Sequence, residues 1–409
     1  MQTRKQRREQ SAHAKRPAHV LAAILALAMV ALAAMGGAYV WHRHQANAVA
    51  QKAKSSLVTM TRTVSEPTVT SSSSVSKTPS TVDPTIQAVL QGRLAPLHFN
   101  GTAIIVRGGK LVASYASGIA NAGTGQKNSL GTLYEINSIQ KSLTAALIMK
   151  QISAGKLAMT TKLSQFFPQF PAASQVTVQE LLTMTSGYRP GQGYGPRPYV
   201  NDQQAVANMA TMVQFDPAQH RSFFYAGLNY NILCGILAKV SGKQYPQNLH
   251  ELILDPLKLN AATFAYDPLP QTAALGYRWP PKAALADFSA AYTTSATQAH
   301  FELGTGQLYM NCMELYHAEK ALQDGTILTP AEKKTLYTRL AGTNSSYAGG
   351  LYQSVATQRR AQGYGYGFTG FMRISRDGQN AVIFLTNTTK APDKYPFLKI
   401  ADALAKQYI

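Results

Sequence analysis

Ser138-Ile139-Gln140-Lys141 sets a hydroxyl and an amine three residues apart, at the head of a stretch whose apolar residues Leu143, Leu147, Ile148 and Ile152 recur at the spacing of an amphipathic helix and stop near Gly155. On a helix, positions i and i+3 share a face, so one side chain can take a proton from the other. A serine hydroxyl is a poor nucleophile at neutral pH and needs an adjacent base; a lysine serves where desolvation and nearby positive potential hold its amine neutral. The start of a helix supplies that potential, and its free N–H groups can also hold an oxyanion. The four letters do not single out this site by themselves. Ser74-Val75-Ser76-Lys77 and Ser153-Ala154-Gly155-Lys156 have the same spacing, but the first lies in a Ser/Thr-rich tract and the second straddles a helix end, where neither pair is preorganised.

The elements that must position this pair are legible on either side of it. Residues 99–106 and 111–115 read as strands joined across Gly108-Gly109, and residues 370–375 and 381–386 form a second hairpin around Arg376-Asp377-Gly378. A closing helix is expected over 395–408, and the strands of the two ends must meet in one sheet. Between them, residues 157–347 mix helical patterns with Pro- and Gly-rich loops and read as a mostly helical lobe. The expected fold is α/β, of the α+β kind: an antiparallel sheet flanked by helices and built from both ends of the domain, with a helical lobe between.

Several blocks in this order carry a family resemblance. Phe99-x-Gly101 precedes the first strand, Glu135-Ile136-Asn137-Ser138-Ile139-Gln140-Lys141-Ser142-Leu143-Thr144-Ala145 surrounds the nucleophile, and Leu181-Leu182-Thr183-Met184-Thr185-Ser186-Gly187-Tyr188 follows. Tyr225-Ala226-Gly227-Leu228-Asn229-Tyr230-Asn231-Ile232-Leu233 and Asp255-Pro256-Leu257-Lys258-Leu259 complete the set. Residues 96–409 thus resemble the serine β-lactamase and penicillin-binding-protein superfamily, on its class C and D-alanyl-D-alanine carboxypeptidase-like branch. The resemblance implies that Ser138 is acylated, that Lys141 is its base, and that the Tyr225 phenol relays a proton to the leaving group. It implies an oxyanion hole from the backbone N–H groups of Ser138 and Phe368.

Two departures bear on the substrate. The family's Tyr-x-Asn has Gly227 in its third position here, with Asn229 two residues on as a replacement; Tyr199-Val200-Asn201 and Tyr309-Met310-Asn311 match the letters, but neither precedes the Asn-Tyr-x-x-Leu helix expected after the motif. The family's Lys-Thr-Gly or His-x-Gly triplet, which presents a cation to a substrate carboxylate, is replaced by Gly365-Tyr366-Gly367. Arg359, Arg360 and Arg373 are nearby cations, read as surface residues that can stand in for it. These changes should weaken recognition of penicillins and free D-alanine termini more than acyl transfer itself.

The chain as a whole reads as an anchored, outward-facing molecule. Residues 20–41 are uncharged and mostly apolar, long enough to cross about 30 Å of hydrocarbon, and six cations precede them against Glu9 alone. This predicts a basic cytoplasmic tail over 1–19, a transmembrane helix over 20–41, a Ser/Thr-rich linker over 42–85 and the hydrolase domain over 86–409. A cleaved signal peptide with Ala48-Val49-Ala50 at the cut is the competing reading. Lys and Arg number 39 against 19 Asp and Glu, and the outer domain alone keeps an excess, so anionic wall polymer is the natural counter-charge and nucleic acid is not expected.

The resemblance accordingly implies a serine hydrolase acting on D-alanyl cell-wall peptides or related acyl groups. A D-alanyl esterase on teichoic-type polymers and a wall-binding pseudoenzyme are the alternatives. No metal or organic cofactor is implied, since the acyl-enzyme route uses side chains and water. Cys234 and Cys312 lie in apolar stretches and read as buried thiols, with a disulfide left open.

Overall fold

Ala103-Ile104-Ile105-Val106 is an unbroken apolar run because the strand that carries it is covered on both faces. In the computed structural model, which describes residues 82–353, 355–390 and 396–409, it belongs to β1 (Gly101–Arg107). Ala103 and Ile105 pack into one apolar cluster and Ile104 and Val106 into another, the two-residue alternation of a strand between two layers.

The sheet is completed by β2 (Lys110–Ser117), β3 (Tyr347–Ala348), β4 (Leu351–Tyr352), β5 (Gln358–Gly365), β6 (Phe368–Ser375) and β7 (Ala381–Thr386), in the order β3-β4-β5-β6-β7-β1-β2. Every neighbouring pair is antiparallel. The two ends of the domain meet where β1 pairs β7, Gly101 opposite Thr386. Gly108 and Gly109 turn β1 into β2 with φ of 55° and 77°, the left-handed conformation that such a two-residue turn requires.

Helices α1 (Pro84–Leu94) and α6 (Pro396–Tyr408) cover one face. Ile86, Leu90, Leu94, Phe397, Ala401 and Leu404 meet Phe371, Val382 and Phe384 there. On the other face lie α2 (Lys141–Ser153) and α5 (Cys312–Asp324), with α3 (Asp202–Met209) and α4 (Leu228–Ser241) beyond. The fold class read from the sequence stands. The intervening lobe is less purely helical than expected: Tyr134–Glu135, Leu308–Met310 and Thr263–Phe264 form a small sheet, and Tyr188–Pro190 pairs with Val213–Phe215.

One expectation is corrected. Helix α2 is not amphipathic, since every residue from Lys141 to Met149 is buried. As far as Met149 it is enclosed by the sheet and by α4 and α5, so that stretch has no water-facing side to mark with polar residues.

The segments expected to hold the cytoplasmic tail, the membrane helix and most of the linker lie outside the described residues. Among the described residues no helix is long and apolar enough to cross a membrane.

Candidate active site

From Thr132 to Met149 every residue is buried except Ser138, which is half-buried. It sits on a 3-10 turn, Asn137–Gln140, that runs directly into α2. The turn is forced by Asn137, whose φ of 49° is left-handed; asparagine tolerates this region better than most residues with a side chain. Its amide fixes the bend by donating to Glu135 C=O at 3.2 Å and to Gly365 C=O at 3.4 Å.

Lys141 Nζ donates to Ser138 Oγ at 2.8 Å and to Thr305 C=O at 3.2 Å, and Lys141 is 2% exposed. The helical i, i+3 spacing brings the pair together, as expected. Tyr225 arrives from the loop before α4. Its ring centroid is 5.5 Å from Lys141 Nζ, and the ring rests edge-on against Tyr347 and parallel to Tyr352. At 39% exposure it is open to a ligand. Ser138 and Lys141, from one turn, and Tyr225, from a loop more than eighty residues on, therefore converge.

Gly227 caps α4 with an ordinary helical φ of −55°, and a Cβ built there meets nothing within 4 Å. The site keeps the space of the missing asparagine. Asn229 does not replace it. Its amide accepts from Ser186 Oγ at 2.6 Å and donates to Ala226 C=O at 3.0 Å, with the residue 1% exposed, so both ends are used to hold the loop against the helix. Tyr230 and Asn231 also turn inward, donating to Leu182 and Leu303 C=O. The two literal Tyr-x-Asn matches are helix caps: Asn201 accepts from Gln204 N at the start of α3 and Asn311 from Glu314 N at the start of α5.

Of the triplet, Gly365 ends β5 beside the nucleophile turn, and Tyr366 and Gly367 form the two-residue turn into β6. Tyr366 and Gly367 have φ of 49° and 85°, the two left-handed residues of a tight hairpin. A Cβ on Gly365 would lie 2.7 Å from Asn137 Oδ1, and one on Gly367 would lie 2.4 Å from the Gly276 backbone. Tyr366 turns sideways, its hydroxyl donating to Glu302 Oε1 at 2.9 Å.

The same turn overturns Phe368 as an oxyanion donor. In a two-residue hairpin the flanking residues, here Gly365 and Phe368, are the hydrogen-bonded closing pair, so Phe368 N–H goes to Gly365 C=O. The next pair, Tyr364 and Thr369, is non-hydrogen-bonded, and Tyr364 N–H points away from β6. On that side β4 pairs with β5 only at Arg360, leaving the edge open beside the nucleophile turn. Tyr364 N–H is therefore on the open side of β5. Gly363 lets β5 approach so closely, for a Cβ there would lie 2.2 Å from Ile136 C=O.

The arginines are also relocated. Arg373 is 1% exposed and bonded to Asp402 on α6, while Arg359 is 6% exposed, donates to Gln323 Oε1 at 2.8 Å and covers the Tyr337 ring. Neither is a surface residue, and neither faces Ser138. Arg360 lies over the Tyr352 ring at 5.3 Å, beyond the Tyr225 stack.

Residues that no motif flagged complete the site. Thr305 anchors Lys141, and Glu302 accepts from Thr305 Oγ1 at 3.0 Å as well as from Tyr366. Glu135, 2% exposed, lies beside Glu302; burial and that neighbouring carboxylate push its own carboxyl well above the usual range. Only Asn137 left a signal, its tolerance of a left-handed turn. Cys234 and Cys312 are buried and unpaired. Among the described residues no His, Cys, Asp or Glu cluster is arranged to hold a metal ion.

Comparison with known proteins agrees with this geometry. The family model "Beta-lactamase" matches residues 86–407. PbpX of Bacillus subtilis (strain 168), a protein named for penicillin binding, is 28% identical over 299 residues, 72% of each chain. The teichoic acid D-alanine hydrolase of Staphylococcus aureus is 30% identical over 183 residues, which is 44% of this chain and 45% of that one. Among solved structures, FmtA from Staphylococcus aureus superposes with a TM-score of 0.70 at 23% identity, covering 82% of this chain and 91% of its own. A D-amino acid amidase from Ochrobactrum anthropi SV3 shares the fold, with a TM-score of 0.63 at 19% identity over 79% and 98% of the two chains.

Proposed function

Because the chain belongs to the β-lactamase family of serine hydrolases, we propose that it is an anchored, wall-facing esterase that removes D-alanyl groups from anionic wall polymer through an acyl-enzyme on Ser138. The observation that carries the reading is the 2.8 Å contact between the one accessible residue of the nucleophile segment and a buried lysine. In its free-base form Lys141 takes the Ser138 proton as Oγ attacks the ester carbonyl carbon. The carbonyl oxygen gathers charge facing the N–H groups of Ser138 and Tyr364. The C–O bond to the polymer breaks, and its oxygen leaves with a proton relayed through Tyr225. Water then attacks the acyl-serine by the same route, releasing D-alanine and restoring Ser138.

An ester suits the site better than a peptide with a free D-alanine terminus. The triplet that should offer a cation to a substrate carboxylate is the glycine-rich turn at Gly365–Gly367, while Arg359 and Arg373 are committed to Gln323 and Asp402. The Staphylococcus relative that acts on teichoic acid D-alanine supports the same choice. The basic domain and the apolar run over 20–41 are consistent with work on a polyanion outside a membrane.

The test is intact mass of the protein after exposure to a reactive phosphonate and a β-lactam panel, with Ser138→Ala alongside. Phosphonate labelling lost in the variant, with weak or absent β-lactam adducts, is the expected result. Absence of any adduct in folded protein would sink the enzyme reading in favour of a binding role. Fractionation of cells producing the full chain tests the anchor, which predicts recovery with membranes.

A further inference from the structure

We infer that Glu302 recognises the α-ammonium group of the substrate, which makes this site selective for aminoacyl esters over simple acyl esters. The inference rests on the acyl-enzyme reading and names the chemical class of its substrate. Glu302 is one residue removed from the catalytic lysine: Lys141 Nζ is bonded to Thr305 C=O, and the Thr305 hydroxyl to Glu302 Oε2. It also adjoins the nucleophile turn. A Cβ on Gly306 would lie 3.4 Å from both Glu302 Oε2 and Asn137 Cα, so the carboxylate and the backbone before Ser138 both border this glycine.

Glu302 is half-buried, and Tyr366 holds its other oxygen. Tyr366 itself is kept at a φ of 49°, where a bulky residue is strained, which implies that its position is imposed by the packing around it. A carboxylate accepts about four hydrogen bonds. Two are taken by Thr305 and Tyr366, which leaves capacity for a cationic donor.

Glu135 supplies the second observation. It is 2% exposed, its Oε1 has no partner, and the nearby Glu302 carboxylate adds to burial in raising its carboxyl. Burial favours the neutral form of Glu135, so the charge beside the nucleophile turn rests on Glu302: the wrong sign for a substrate carboxylate and the right sign for an ammonium. A D-alanyl ester carries that ammonium on the carbon next to the scissile carbonyl, and its carboxyl is consumed in the ester bond. The site has thus lost the cation that a free carboxylate needs and has a carboxylate within one residue of its base.

The test uses the full chain and two esters of one alcohol differing by a single amino group, a D-alanyl ester and a propionyl ester. Each kcat/KM is divided by that ester's spontaneous hydrolysis rate. The wild type should favour the D-alanyl ester by about 10- to 100-fold, the range of one charge-assisted contact. Glu302→Gln should bring the ratio near one. Tyr366→Phe, which keeps the carboxylate but frees it, should give an intermediate ratio, and it decides the matter with the wild type if the Glu302 variant does not fold. Equal use of both esters by the wild type, or a ratio unchanged in Glu302→Gln, overturns the assignment and leaves the acyl-enzyme intact. No acyl adduct from either ester or from the phosphonate overturns the hydrolase reading, and the assignment with it.

Discussion

At Gly227 the chain carries an omission that can be reversed. The position has an ordinary helical φ and open space around its Cβ, so Gly227→Asn should fold and gain about 0.4–1 kcal/mol from the lower conformational entropy of its unfolded chain. If the absent amide is what weakens penicillin recognition, the variant should acylate with β-lactams faster than the wild type, read as adduct mass against time. Tyr225→Phe keeps the ring stack on Tyr347 and Tyr352 but removes the proton relay. It should lower turnover by about 10²- to 10⁴-fold with little change in melting temperature. A third residue acts on stability. Glu319 is fully buried beneath the start of α2 against Ser142, and burial pushes its carboxyl up to about 7, the Ser142 hydroxyl and Arg359 guanidinium offsetting only part of that rise. The folded state thus holds this proton to higher pH than the unfolded chain. Its contribution is full below about 4.5 and is lost as pH rises through about 7. Melting temperature should fall across that window, and Glu319→Gln should flatten the profile and be the more stable form at pH 8, by about 1–3 kcal/mol.

Elements meet at the nucleophile through glycines. Gly363 of β5 and Gly350, in the turn joining β3 to β4, each leave space that a methyl group would fill against main-chain atoms, at Ile136 C=O and Ser142 N. Backbone cannot swing aside as a side chain can, so Gly363→Ala should displace the β5 edge from the nucleophile turn. The expected cost is about 1–3 kcal/mol in chemical denaturation, together with a loss of phosphonate labelling rate larger than stability alone explains. These contacts also show where reading the sequence stops. The hairpins at Gly108-Gly109 and around Gly378, the nucleophile helix and the Ser138-Lys141 pair were legible because each is a local pattern of turn chemistry or periodicity. The open edge of β5, the pairing that turns Phe368 N–H to Gly365 and leaves Tyr364 N–H on that edge, and Glu302 beside Thr305 were not, because each depends on segments that meet only in three dimensions. Burial on all sides misled the reading of α2, since a helix without a wet face has no amphipathic signature. Arg359 and Arg373 were misplaced on the surface because only the fold reveals Gln323 and Asp402 as their partners.

Across the whole molecule charge sets the expected behaviour toward polymers. With 39 Lys and Arg against 19 Asp and Glu, attachment to a polyanionic wall polymer should weaken steeply as salt rises from about 0.05 to 0.5 M, where the screening length falls from roughly 14 to 4 Å. Co-sedimentation with purified polymer measures this, and persistence of binding in Ser138→Ala would separate attachment from turnover. The sheet has a further consequence. Asn100, just before β1, donates to Asn387, just after β7, at 2.6 Å across 287 residues of chain, and β1 lies between β2 and β7. During synthesis at roughly 5–20 residues per second, one whole side of an apolar strand waits about 15 to 55 s for its partner to be made. The β1–β2 hairpin is thus an open template for as long as its own chain is incomplete, and a nascent copy is most exposed to pairing with a neighbour on the same message in that interval.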